Sequence, residues 1–408
     1  MPVRPLAESD ASRRSLCQRA QLFVVDAIHF WTRAILASGQ RVFFRRVHKG
    51  LRDDEIHSIV VHRTCNIGDA VVSIPALTAL RRRFPRAHIT LLTSPGLRGA
   101  ADAAAALLDR CAVYDERVTY YHDESRHWSG RRSLVRDFRA RRIDLYVELA
   151  PGLVSMRAQV KQLVFARLIG ATYAIGFQVD TVYIFGRTQA LYRRQPPEVD
   201  RLVALLAPVG VPWGSESASL VVDEADRRRA DQWLARHGIP PGEPVVAIHA
   251  GTKRPSGQWP EDRFADVVRE LTTRWPCRIL LVGARGDVPL ADRLAAAAPG
   301  RALVAAGETD VSTLAALLSR CTLLVSNDSG PMHVAAAVGT PVVAIFSGKD
   351  FPGRWYPQGD QHVILQHDVP CSPCFLNDCP KDLLCLRGIE PRDVIQAIEE
   401  RGFFRQSA

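Results

Sequence analysis

Between residues 245 and 346 short apolar runs alternate with longer amphipathic ones: VVAIHA, EDRFADVVRELTTRW, CRILLVG, VPLADRLAAAA, ALVAAG, VSTLAALLSR, TLLVSN, GPMHVAAAVG and PVVAIFS. Strand and helix in regular succession build a parallel sheet whose two faces are covered by helices, because a parallel crossover needs a helix to return. A looser version of the pattern precedes it. IHSIVVH at 56–62 reads as a strand entering a Gly-containing turn, and a helix is expected from near Val71 through SIPALTALRRRF. Pro75 is tolerable there only in a first turn or at a bend. HITLLTS, the helix-to-strand stretch LVRDFRARRIDLYVELA, and TYAIGF complete this series near residue 210.

The Pro-, Gly- and Ser-rich stretch LAPVGVPWGSES separates the two series. We therefore expect an α/β protein of two Rossmann-like, doubly wound domains facing a central cleft. The expected divisions are a helical extension over 1–55, a first domain over 56–215, a second over 216–366, and a cysteine-rich loop with a C-terminal helix over 367–408. A chain of 408 residues is too long for one ordinary α/β core and suits this division.

The formal charge of +10 favours anionic partners: phosphates, nucleotides, nucleic acid or an anionic membrane surface. No RNA-binding aromatic motif, zinc-finger spacing or helix-turn-helix signal supports nucleic acid. The N-terminus does not read as a secretory signal. Residues 21–37 are the nearest approach to a membrane span, but Asp26, His29 and Arg33 interrupt them. They read as a docking helix or as one lying on a membrane surface, with RVFFRRVHKG behind it. Cys65, Cys277 and Cys321 within core-like segments point to a reducing compartment, the cytoplasm.

Three strand-end segments carry the chemistry. In RTCNIGDAVVSIPAL, Gly68 lets backbone approach a ligand, and Asp69 is either a helix cap or a general base facing an acceptor hydroxyl. In LLVSNDSGPMHVAAAVGTP, Ser329 and the helix start at Gly330 can hold a diphosphate, and His333 shares that face or is a satisfied helical histidine. Asp328 suits sugar hydroxyls better, since it repels phosphate. In AIHAGTKRPSGQWP, Thr252, Lys253 and Arg254 can bind a diphosphate leaving group. Asp287, Glu308, Thr309 and Asp310 lie on further strand-end loops as ribose or base contacts, or as helix caps. Neither GxGxxG nor GxxxxGK[ST] occurs in these loops.

Cys371, Cys374, Cys379 and Cys385 follow the spacing C-x2-C-x4-C-x5-C, with His367 upstream. Four soft ligands on one loop suit a structural Zn or Fe. Packed reduced thiols and disulfides are the alternatives, and no base accompanies them for nucleophilic catalysis.

Taken together, NIGDAVVSIPAL and VSNDSGPMHVAAAVGTPVVAIF resemble glycosyltransferase family nine, the ADP-heptose:lipopolysaccharide heptosyltransferases, over roughly residues 57–400. The resemblance implies a GT-B fold and inverting transfer of heptose from ADP-heptose to a lipopolysaccharide core acceptor, without an obligatory catalytic cofactor. The basic segments RRRFPR, SRHWSGRRSLVRDFRARR and RVFFRRVHKG would suit a phosphorylated glycolipid acceptor at the cytoplasmic face of the inner membrane, or are solvated helical faces. By motif, Asp69 matches the base, Thr252 a phosphate contact, and Asp328, Ser329, Gly330 and His333 the donor-binding segment. CSPC matches cysteine-containing tails in similar sequences. Family members commonly carry a lysine two residues before the loop tryptophan, where this chain has Gly257; Lys253 or Arg254 would then reach the diphosphate. Two alternatives stand beside this: a protein O-heptosyltransferase acting on an autotransporter, in which a cysteine-bound iron would fit, and a non-catalytic nucleotide-binding protein.

Overall fold

The computed structural model describes residues 16–45, 47, 51, 53–64, 66–96, 102–123, 128–152, 154–178, 196–212 and 217–404. Cys65 and the expected division at 215/216 lie outside them.

The first sheet contains β1 (Ser58–His62), β2 (His88–Thr93), β3 (Glu116–Thr119), β4 (Leu145–Glu148) and β5 (Tyr173–Ile175). All pairings are parallel and the order is β3-β2-β1-β4-β5. With it go the helices α1 (Leu16–Phe43), α2 (Ile67–Arg83), α3 (Ala103–Leu108), α4 (Trp128–Ala140), α5 (Met156–Leu168) and α6 (Glu198–Ala204). The second sheet contains β6 (Val245–His249), β7 (Arg278–Leu281), β8 (Ala302–Val304), β9 (Leu323–Asn327), β10 (Val342–Phe346) and β11 (Val363–Gln366). It is also wholly parallel, in the order β11-β10-β9-β6-β7-β8. Its helices are α7 (Glu224–Arg236), α8 (Glu261–Arg274), α9 (Val288–Ala295), α10 (Val311–Leu318), α11 (Gly330–Ala337), α12 (Leu384–Arg387) and α13 (Pro391–Arg401).

The strand order reverses beside β1 in the first sheet and between β6 and β9 in the second. Helices on either side of such a point run to opposite faces, which opens a crevice outside the carboxyl ends of those strands. One apolar cluster runs from Val71, Ile74 and Leu77 on α2 to Leu317 on α10 and Met332 and Val334 on α11, so the two sheets share buried surface. A second cluster joins Val246, Ile248 and Phe264 to Val394, Ile395 and Ile398, which draws the C-terminal helix α13 into the core of the second sheet.

Two local differences from the expectation have simple causes. Helix α2 begins at Ile67 because Asn66 and Asp69 form a reciprocal cap, so Pro75 lies inside the helix. There its ring removes the N–H that would bond the Val71 carbonyl. Strands β3 and β11 are additions to the expected series: β3 is ERVT, too polar to stand out, and β11 is a short edge strand.

Candidate active site

The carboxyl end of β1 leads into the Asp69 turn. Asp69 Oδ2 accepts from the Asn66 backbone N–H at 3.2 Å and from Asn66 Nδ2 at 3.3 Å. Its other oxygen lies 3.4 Å from Arg63 Nη2. Arg63 is fully buried and is held by the Leu149 carbonyl, 2.9 Å from Nη1. Asp69 thus closes the helix cap, and its carboxylate keeps 21% exposure.

The switch point of the second sheet supplies the opposite wall. His249, ending β6, bonds through Nδ1 to Ser329 Oγ at 2.9 Å. The Ser329 hydroxyl is therefore turned toward the strand, and no side chain caps the start of α11. An uncapped helix start presents N–H donors and the positive end of the helix dipole. Pro331 contributes no N–H to this set. His333, buried on α11, packs edge-on to Trp355 with ring centroids 6.3 Å apart. Burial holds its imidazole below the ordinary histidine pKa, against the opposing pull of the Asp328 and Asp69 carboxylates. The two helix starts touch across the cleft. A Cβ on Gly330 would stand 3.1 Å from Ile67 Cβ, and one on Gly68 would stand 2.8 Å from His333 Cδ2.

The two basic residues of the 252–257 loop diverge. Lys253 Nζ donates to Asn66 Oδ1 at 2.5 Å, reaching across to the turn before α2. Arg254 is exposed. The ammonium nearest Gly257 belongs instead to Lys349, on the loop after β10: a Cβ on Gly257 would lie 2.8 Å from its Nζ. Lys349 also pairs with Asp328 at 3.3 Å. Lys349 lies just beyond the strand PVVAIFS, outside the three strand-end segments that stand out by composition. A lysine directly after a strand-end Ser-Gly was the available signal.

The remaining candidates are more peripheral. Asp287 accepts from the Ala284 N–H at 2.8 Å and faces His249 Nε2 at 3.8 Å. The facing His249 imidazole is the main influence holding its carboxyl below the usual range, opposed by burial. Thr309 is half-buried on the β8–α10 loop. Its neighbours are engaged: Glu308 accepts from Trp233 Nε1 at 2.8 Å, and Asp310 caps α10 through the Thr313 N–H at 2.7 Å.

The expected Zn or Fe centre at Cys371, Cys374, Cys379 and Cys385 is not formed. All four are free thiols, and among the described residues no three His, Cys, Asp or Glu side chains are grouped to hold a metal ion. The segment is spent on bracing. Cys385 Sγ accepts from the Gly348 N–H at 3.2 Å, while the Cys374 and Phe375 N–H groups donate to the carbonyls of Gly348 at 3.0 Å and Lys349 at 2.8 Å. On its other side the segment holds Ser256, whose N–H donates to the Asn377 carbonyl at 2.9 Å and whose hydroxyl donates to that of Leu376 at 2.6 Å. His367 packs against Gly388. Cysteine spacing permits a metal, but here the Cys385 thiol bonds the Gly348 N–H instead.

A further interaction ties the two halves together. Glu198 on α6 is buried between Arg201, at 2.6 Å, and Arg354, at 3.3 Å. Burial alone would raise its carboxyl, yet Arg201, Arg354 and Arg63 hold it below the usual range.

Two doubly wound parallel domains whose switch-point loops face one another define a protein of the GT-B class. A family model described as glycosyltransferase family 9 (heptosyltransferase) matches residues 131–384. The chain belongs to glycosyltransferase family 9. It is 35% identical over 95 residues to lipooligosaccharide heptosyltransferase 2 of Campylobacter jejuni, covering 23% of this chain and 30% of that protein. It is 24% identical over 331 residues to lipopolysaccharide heptosyltransferase 1 of Pseudomonas aeruginosa, covering 79% of this chain and 87% of that one. Among solved structures, a family 9 glycosyl transferase from Veillonella parvula superposes with a TM-score of 0.69 at 23% identity, covering 86% of this chain and 98% of that one. ADP-heptose lipopolysaccharide heptosyltransferase II of Escherichia coli gives 0.63 at 20%, covering 86% and 100%. Both structural likenesses establish the fold.

Proposed function

We propose that the protein is an inverting glycosyltransferase that moves heptose from ADP-heptose to a lipopolysaccharide core acceptor. The observation that carries this is the meeting of two helix starts across the cleft, one bearing Asp69 and the other Asp328, Ser329 and His333. Family membership supports the sugar, because the relatives named above are heptosyltransferases.

In the mechanism this geometry supports, the acceptor oxygen attacks the anomeric carbon as the bond from that carbon to the diphosphate oxygen breaks. The bonding pair leaves on ADP, and the acceptor proton passes to Asp69. Arg63, bound to Asp69 on the side away from solvent, keeps the carboxylate oriented. The N–H groups at the start of α11 meet the charge that develops on the diphosphate, an electrostatic contribution that grows toward the transition state. Packing of Gly68 against His333 excludes water there, which limits donor hydrolysis.

A lipid-linked anionic acceptor is favoured by a cleft of about 1400 Å³ at the carboxyl end of the first sheet, with Val160, Val164 and Leu168 on its wall and Arg136, Arg139 and Lys161 beside them. Helix α1 leaves Phe30, Trp31, Ile35 and Val42 exposed while Leu36 is buried, an amphipathic arrangement suited to lying on a membrane surface. No described helix is long and apolar enough to cross a membrane. Incubation with ADP-heptose and a heptose-deficient core glycolipid tests the proposal: one heptose should be added to the glycolipid, with release of ADP. Release of ADP without transfer, or no turnover with either substrate, would reject it.

A further inference from the structure

We propose that Lys349 is the side chain that neutralises the leaving diphosphate, supplied from the loop after β10 to a place that the 252–257 loop leaves empty at Gly257. The inference rests on the nucleotide-sugar reading above and assigns a residue within it.

Position is the first support. Lys349 Nζ stands where the first carbon of a side chain at 257 would begin, 2.8 Å away, and Thr252 Oγ1 is 3.5 Å from that same point. A side chain at 257 and that of Lys349 would therefore compete for one volume, which the glycine leaves to Lys349. The ammonium lies between the loops that follow β6 and β9, the two strands flanking the switch point. This is where a ligand of a doubly wound sheet is expected.

The second support is charge. The Lys349 side chain is 11% exposed and pairs with Asp328 Oδ2 at 3.3 Å. An ammonium has three donors, and a single carboxylate oxygen satisfies one. A shielded cation with donors to spare, beside an uncapped helix start, matches a diphosphate in both charge and hydrogen bonding. Lys253 reaches to Asn66 on the other side of the cleft, and Arg254 is exposed, so neither duplicates this position.

The third support is the brace. The cysteine-rich segment bonds to the backbone of Gly348 and Lys349 on one side and of Ser256 on the other. It thereby sets the spacing between the lysine and Gly257, and a site built for a transition state needs such preorganisation. During transfer Lys349 donates hydrogen bonds to the diphosphate oxygens as the bond from the anomeric carbon breaks and the electron pair moves onto ADP.

Calorimetric titration of the full chain with ADP and with adenosine tests this. Lys349→Ala should weaken ADP binding about tenfold to hundredfold, the value of a charge-assisted hydrogen bond, while adenosine affinity stays within about twofold. Lys349→Gln, which keeps a donor for Asp328 and so preserves the fold, should show the same split. Moving the lysine, in Lys349→Ala with Gly257→Lys, should restore most of the ADP affinity. Unchanged ADP affinity in the folded single variants would overturn the proposal, as would equal weakening of ADP and adenosine. Failure of the unaltered protein to bind ADP would instead strike at the nucleotide-sugar reading itself.

Discussion

Gly68 and His333 face each other across the cleft so closely that a single added carbon on the glycine would come within 2.8 Å of the imidazole edge. Each is at or near the start of a helix, one from each sheet. The absence of a side chain at 68 lets the two helix starts approach and leaves His333 its position against Trp355.

Gly68→Ala should therefore displace the imidazole. Overpacking of this kind costs about 1–3 kcal/mol of stability. Misplacing groups at a reacting centre lowers turnover by up to about 10²-fold. Thermal melts and steady-state rates on the same preparation separate the two effects. Unchanged rates would show that the ring moves aside freely.

Asp69→Asn should lower turnover by about 10²–10⁴-fold, the usual contribution of a general base. Asparagine still accepts from the Asn66 N–H, so the cap of α2 and the binding of donor should survive. A folded, donor-binding variant with near-normal turnover would remove Asp69 from the role of base.

His333 makes stability depend on pH in a defined sense. Its folded pKa is depressed below the ordinary value of about 6.5 because burial disfavours the charged ring. The unfolded chain then binds more protons in the window below that value, and stability rises with pH there. The contribution is fully present above about pH 6.5 and is lost as pH falls through the folded value. Urea unfolding at several pH values should show a shallower slope in this window for His333→Gln. Equal slopes would place the linkage elsewhere.

Arg354→Ala removes one partner of the buried Glu198 while Arg201 remains. Breaking a buried pair from one side costs about 3–5 kcal/mol, because the remaining charge stays desolvated. Chemical denaturation measures the loss, and a change below about 1 kcal/mol would show that Arg201 suffices. Glu198 also has a depressed pKa, so its contribution is present above the ordinary carboxyl range and disappears as pH falls through the folded value.

Chelation addresses the cysteine segment. Prolonged dialysis against a strong chelator should leave both the melting temperature and the turnover unchanged. Cys385→Ser should lower stability by roughly 1 kcal/mol through the altered bond to Gly348. A chelator-induced fall in melting temperature would reinstate a metal at the four thiols.

Much of the second sheet was legible because strands such as VVAIH and LLVSN are buried on both faces and their composition says so directly. β3 was not, since ERVT lies half-exposed at an edge and its residues fit a loop equally well. Of the proposed site, Asp69 and the Asp328–His333 turn stand out in the sequence because they directly follow strong strands. The ammonium beside Gly257 could not: Lys253 and Arg254 are near it in the chain, whereas Lys349 is near it only in space.

By itself the sequence determined two parallel α/β domains and the strand-end loops proposed to carry the chemistry, since strand periodicity and turn composition are local properties. The tertiary structure decided which of those loops meet. It set Gly68 against His333, brought Lys349 to the gap at Gly257, and made the cysteine-rich segment a brace for the loop after β10. Such pairings depend on packing between segments far apart in the chain, and local composition does not encode them.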